Sequence, residues 1–113
     1  MEFDQLGVAL LTTRDGSRER PDPEEDAVQD AHMAHLADLH DAGQLLAAGP
    51  LMNEHFRGLL LFTVDAQSVT DLMLADPALR AGRFDLTVIP WMVPTGALRF
   101  FSTRFPRSMA EIN

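Results

Sequence analysis

Gln44-Leu45-Leu46-Ala47-Ala48, closed by Gly49-Pro50, and then Arg57-Gly58-Leu59-Leu60-Leu61-Phe62-Thr63-Val64 decide how this chain is organised. Both are short apolar runs bounded by turn residues, the pattern of buried strands. Asn53 and Glu54 fall in the connection, so two strands follow one another with no helix between them. What lies on either side then sets the fold. Upstream, Leu6 to Thr13 reads as a mostly buried strand, and residues 14–23 form a loop carrying Gly16, Pro21 and Pro23. Asp22 is the expected N-cap of a helix, Pro23 its first residue, and Glu24-Glu25-Asp26 complement its dipole. The helix runs to Asp41 and stops at Gly43. Along it Val28, His32, His35, Leu36 and Leu39 fall within a sector of about 100°, the width of a core-facing stripe. Gln29, Asp30, Ala34, Ala37, Asp38 and Asp41 lie outside it.

Downstream, Ser68-Val69-Thr70-Asp71 is a capping-box-like start of a second helix. Pro77 forces Asp76 out of helical geometry and ends it. Residues 77–83 make a turn or a single helical turn, and Phe84 to Met92 alternates as the last strand, with Pro90 and Pro94 at its fraying end. The order is β-α-β-β-α-β, an α+β ferredoxin-like arrangement over residues 1–94. Residues 95–113 carry Leu98, Phe100, Phe101 and Phe105 among Arg99, Arg104 and Arg107. That tail is too apolar to be solvated and is expected to pack on the domain or on a dimer partner. Two helices on one face of a four-stranded sheet leave the other face bare, and Leu59 to Phe62 is apolar on both sides. A homodimer with two sheets face to face is the expected solution.

Composition narrows the function classes. At 113 residues, 46% hydrophobic and 23% charged, the chain suits one core and is too short for two. The longest apolar run, near Gly58 to Phe62, is far shorter than the roughly 18 residues of a membrane span. Without cysteine there is no disulfide, thiolate nucleophile or Cys-bound zinc. The acids of Met1-Glu2-Phe3-Asp4 stand where a signal peptide carries positive charge, so a cytoplasmic protein is expected. The net charge is −8, every base is arginine, and residues 15–41 hold nine acids against two arginines. No basic stripe exists to receive a phosphate backbone or an anionic membrane, so neither nucleic acid nor membrane is an expected partner.

His32-Met33-Ala34-His35-Leu36, then Ala42-Gly43-Gln44-Leu45-Leu46-Ala47-Ala48-Gly49-Pro50, then Asp76-Pro77 and Ala81-Gly82, resemble the YCII-related family. That family's pattern is a helix histidine, a G-x-L-x-x-x-G-P segment and a later DP…AG, and the resemblance covers about residues 6–92. It implies a ferredoxin-like subunit that pairs into a dimeric α+β barrel. It also implies a His–Asp pair lining a small pocket, carried over onto His32 and Asp76. Some members of the family resemble lyases or dehydrochlorinases acting on chlorinated hydroxy-aromatics. This chain departs from the pattern in its acidic 14–26 segment and its 95–113 tail.

An imidazole held by a carboxylate in a half-buried pocket shuttles protons near neutral pH. The structural alternative for His32 and Asp76 is a plain hydrogen bond, with Asp76 capping the amides of residues 78 and 79. His35, one turn from His32, is a candidate substrate contact, or a metal ligand if Asp76 or His55 joined it. Packing on the sheet with a bond to a carbonyl is the plainer alternative, and no metal is expected. Gly49 and Pro50 would shape the pocket wall. Trp91 would stack on an aromatic ligand, or serve a dimer contact or the core. His40 sits near the helix C-terminus, where a charged histidine is favourable, and carries no chemistry. With no phosphate-binding loop, nucleophile elbow or paired-carboxylate pattern, no cofactor is implied. Two readings follow. One is a small dimeric enzyme of lyase, dehydrochlorinase or isomerase type, acting on a small aromatic or enolisable molecule. The other is a non-catalytic dimeric module that binds a small ligand.

Overall fold

The computed structural model describes residues 1–13 and 23–112. The elements are β1 (Phe3–Thr13), α1 (Pro23–Asp41), β2 (Leu45–Pro50), β3 (Phe56–Phe62), α2 (Ala66–Met73), α3 (Pro77–Arg80) and β4 (Phe84–Pro94). A short 3₁₀ turn, Met109–Glu111, lies near the end of the tail. One antiparallel sheet has the order β2-β3-β1-β4, the ferredoxin-like topology read from the sequence. Among the described residues no helix is long and apolar enough to cross a membrane.

Alternation along the strands divides the sheet into two faces. Ala9 and Leu11 of β1, Leu60 and Phe62 of β3, and Leu45 of β2 are buried together with Leu39 of α1 and Val69 and Met73 of α2. The pairs Val8–Leu61, Leu10–Leu59 and Val8–Ile89 lie on the opposite face. There Ile89 and Trp91 are exposed and Leu59 and Leu61 are half-buried.

Gly7 fixes how closely α2 approaches this sheet. A Cβ built there would meet Val69 Cγ2 at 2.4 Å and the Ala66 Cα at 3.0 Å. Gly7→Ala is therefore expected to cost about 1–3 kcal/mol through overpacking, measured by urea unfolding. Stability equal to that of the parent would show that α2 shifts freely.

Helix ends follow local chemistry, with departures from the sequence reading. The Asp22 cap lies outside the described residues. At the other end of α1, the Gln44 N–H donates to the Leu39 carbonyl and the Gly43 N–H to that of His40, with Gly43 at φ +80°. These two bonds make a Schellman motif, for which glycine is the favoured residue. Helix α2 starts a turn earlier than Ser68 suggests. Asp65 is its N-cap, and its carboxylate accepts the Ser68 N–H at 2.9 Å. That bond lowers the Asp65 pKa. Its stabilising contribution is present above the unfolded carboxylate value and is lost as pH falls through the lower folded one. The Asp65→Asn variant is expected to lack this part of the acid dependence when unfolding is followed against pH.

Strand β4 runs through Pro90 to Pro94 instead of fraying. Being an edge strand, it tolerates residues without an N–H. The buried arc of α1 is also wider than the stripe. Met33, Ala37 and His40, spaced four and three apart, are buried beside it and extend the covered sector to about 200°. Ala37, read as outside the stripe, is 2% exposed. The tail causes part of this. It returns across α1, where Thr103 bonds His40, Arg107 pairs with Asp38 and Asp41, and the Met109 N–H donates to Asp30.

Candidate functional site

Three short-range decisions bring His32 and Asp76 together. The Pro77 ring ends α2 and opens α3, leaving Asp76 extended at φ −69° and ψ 125° as the N-cap of α3. Its Oδ1 accepts the N–H groups of Ala78 at 2.8 Å and Leu79 at 3.3 Å. Its Oδ2 is then free to face α1, where His32 Nδ1 donates to it at 2.7 Å. Asp76 is 0% exposed and the His32 side chain 10%. Asp76 therefore fills both roles that the sequence offered as alternatives. It caps a helix and orients an imidazole.

The geometry also sets the tautomer. Because Nδ1–H is committed to the carboxylate, the lone pair of the neutral ring is on Nε2. Nε2 has no hydrogen-bond partner among the described residues, and it is not sealed from solvent as Arg83 Nε is. Phe84 packs edge-to-face on the ring, with centroids 5.4 Å apart, and fixes its plane. Beside it, Arg83 reaches back to Glu25 on α1 at 2.8 Å. Such an arrangement is a base with one open nitrogen, a fixed ring and a buried counter-charge.

The other expected site residues are placed differently. His35 is half-buried, and its Nε2 donates to the Leu72 carbonyl at 3.1 Å, tying α1 to α2. Among the described residues no group of three or more His, Asp or Glu side chains converges on a metal position. Gly49 pairs with Leu59, and Trp91 with Leu6, both on the open sheet face. Pro50 ends β2 and is exposed. Within one chain the sheet lies between Gly49 and Trp91 and the His32–Asp76 pair, whereas Pro50 pairs with Gly58, the partner of the core residue Leu11, and so falls on the helix-covered side. A cavity of about 330 Å³ lies on the open side, lined by Leu10, Leu51, Met52, Asn53 and Phe56. A second, of about 460 Å³, lies between β2 and the tail, lined by residues including Leu46, Ala48, Phe101 and Phe105. Neither is lined by His32 or Asp76.

His40 is the residue whose surroundings the sequence did not disclose. It is 0% exposed, covered by the tail where the sequence reading placed it at a helix end. Its Nδ1 bonds the Leu45 carbonyl at 2.7 Å and its Nε2 accepts the Thr103 N–H at 2.9 Å. Phe105 and Phe100 stack on it, at 4.1 and 5.0 Å between centroids. The available signal was a tail with three phenylalanines in need of a partner.

A family model for the YCII-related domain matches residues 8–92. The chain belongs to the YCII-related family. The matched span includes His32, Asp76 and the whole sheet core between Val8 and Trp91, and the tail that covers His40 lies beyond it. No curated protein matches the chain.

Proposed function

We propose that this YCII-related protein is a small dimeric enzyme that performs acid–base chemistry at His32 on a small aromatic or enolisable molecule. The observation that carries the reading is the His32–Asp76 bond, which commits Nδ1 and leaves Nε2 as an unpartnered base. In an elimination, Nε2 takes a proton from carbon, the C–H electrons form the new double bond, and a leaving group such as chloride departs with its pair. In an isomerisation the same nitrogen returns the proton at a neighbouring atom. The buried Asp76 stabilises the imidazolium formed in either step. No further group is needed to balance these steps.

The dimer rests on a separate observation, the open sheet face with Ile89 and Trp91 exposed beside Leu59 and Leu61. A second copy pairing there would cover about 800 Å² on each subunit, and would carry Trp91 and the 330 Å³ cavity into the interface. Light scattering is expected to return twice the chain mass at micromolar concentration. A monomer there would remove the dimer from the reading.

Chemistry is tested in D₂O with a panel of small enolisable aryl ketones and chlorinated hydroxy-aromatics. NMR follows deuterium entering at carbon, and an ion electrode follows chloride release. Exchange or release that disappears in His32→Gln supports the reading. Ligand-induced shifts without turnover, retained in His32→Gln, would establish the non-catalytic binding module instead.

A further inference from the structure

His40 is fully buried and takes no part in the His32–Asp76 site. Both of its nitrogens are used, and in opposite senses. Nδ1 donates to the Leu45 carbonyl, which only accepts, and Nε2 accepts from the Thr103 N–H, which only donates. The neutral ring satisfies both contacts; the imidazolium keeps the Leu45 bond and brings its second proton against the Thr103 N–H at 2.9 Å, with the Thr103 hydroxyl oxygen farther off at 3.5 Å. Thr103 belongs to the tail, and so do Phe100 and Phe105, which stack on the same ring. We propose that His40 is an acid-released latch, whose neutral imidazole holds residues 99–112 against α1 and whose protonation at Nε2 frees them.

The sign follows from comparing docked and detached tails. In the docked state a proton on Nε2 points at the Thr103 N–H from 2.9 Å, so two donors face each other. In the detached state water receives that proton. Protonation therefore favours detachment, and docking weakens by up to tenfold for each pH unit below the titration of the detached imidazole.

The neighbouring charges leave this sign intact. Helix α1 contributes its C-terminal end and Asp38 and Asp41, which act on the ring whether or not the tail is docked. Strand β2 contributes Leu45–Pro50, with no charged residue. The tail contributes Arg104, Arg107 and Glu111, joined to one another and to α1 through Arg104–Glu111, Arg107–Asp38 and Arg107–Asp41. Phe100 and Phe105 attract a cation when docked, but from ring distances of 4.1 Å and more, against the closer N–H.

Release would leave the His32–Asp76 pair and the four strands in place. It would open the wall of the 460 Å³ cavity that Phe101, Thr103, Arg104 and Phe105 form beside β2.

Carboxylates also hold the tail, through Asp30, Asp38, Asp41 and Glu111. Ordinary imidazoles titrate near pH 6.5 and carboxylates near pH 4. Glu111 lies lower still, because the Arg107 N–H bonds its carboxylate. A pH titration of the full chain by NMR, from about pH 7.5 to about pH 5, separates the two. The heteronuclear NOEs of residues 99–112 are expected to fall to coil values with the midpoint of the His40 ring signals, while the β1 and β3 amides hold. A tail that stays ordered to pH 5, or that loosens only with the carboxylates near pH 4, overturns the proposal. Thr103→Pro removes the donor and leaves His40 in place. It is expected to abolish the response between pH 7.5 and 5.5, and a parental midpoint in that variant would equally overturn the latch.

Discussion

Asp76→Ala is expected to lower the unfolding free energy by about 3–5 kcal/mol, measured by urea denaturation at neutral pH. The size follows from what the carboxylate holds. Removing it leaves the N–H groups of Ala78 and Leu79 without their cap, which alone costs about 1 kcal/mol. It also strands the His32 Nδ1–H in a site where Asp76 is 0% exposed. Loss of one partner of a buried pair costs more than the pair contributes, since the remaining polar group keeps its desolvation penalty. A cycle with His32→Leu checks this account. The double variant is expected to be more stable than the summed single losses by about 1–3 kcal/mol. Strict additivity would mean that His32 and Asp76 are independent and that the cost lies in the cap alone.

The element order was legible because each boundary had a strong local signal. Pro77 after Asp76, Gly43 after Asp41 and the paired apolar runs of β2 and β3 left little freedom. The same is true of the His32–Asp76 pair, where one residue stands on the apolar stripe and the other at a proline-broken helix end. Other features depended on long-range packing that no window of sequence contains. His40 lies 63 residues from the Thr103 N–H it accepts, and its burial depends on a tail whose path begins only after β4. Ala37 and Met33 sit beside it on the same widened face of α1. The Asp65 cap was missed for a different reason. Ser68 three residues on looks like a cap itself, and only the 2.9 Å bond from its N–H to Asp65 shows which of the two precedes the helix. Gly49 and Trp91 are on the open face of their own chain and Pro50 on the other, because alternation along the strand sets which face each residue takes.

Asp76→Asn is expected to separate stability from chemistry, and on the proposed function it has the larger effect on turnover. The amide oxygen that this substitution introduces accepts the N–H groups of Ala78 and Leu79 as the carboxylate does, so the cap survives and the stability loss should stay within about 2 kcal/mol. The other atom facing His32 becomes an NH₂ group, which donates. His32 Nδ1 must then accept, and the ring proton moves to Nε2. In the parent, Nε2 is the basic nitrogen, because Nδ1 donates to Asp76 Oδ2 at 2.7 Å. In the variant the same atom is blocked by a proton, and the imidazolium loses its counter-charge. Deuterium exchange or chloride release should fall by about 10²–10⁴-fold. The ring signals of His32 give a readout that a purely structural role would not move. Its ¹⁵N shifts are expected to report Nδ1–H in the parent and Nε2–H in Asp76→Asn. Unchanged shifts with intact turnover would show that Asp76 does not set the tautomer, and its part in the chemistry would have to be dropped.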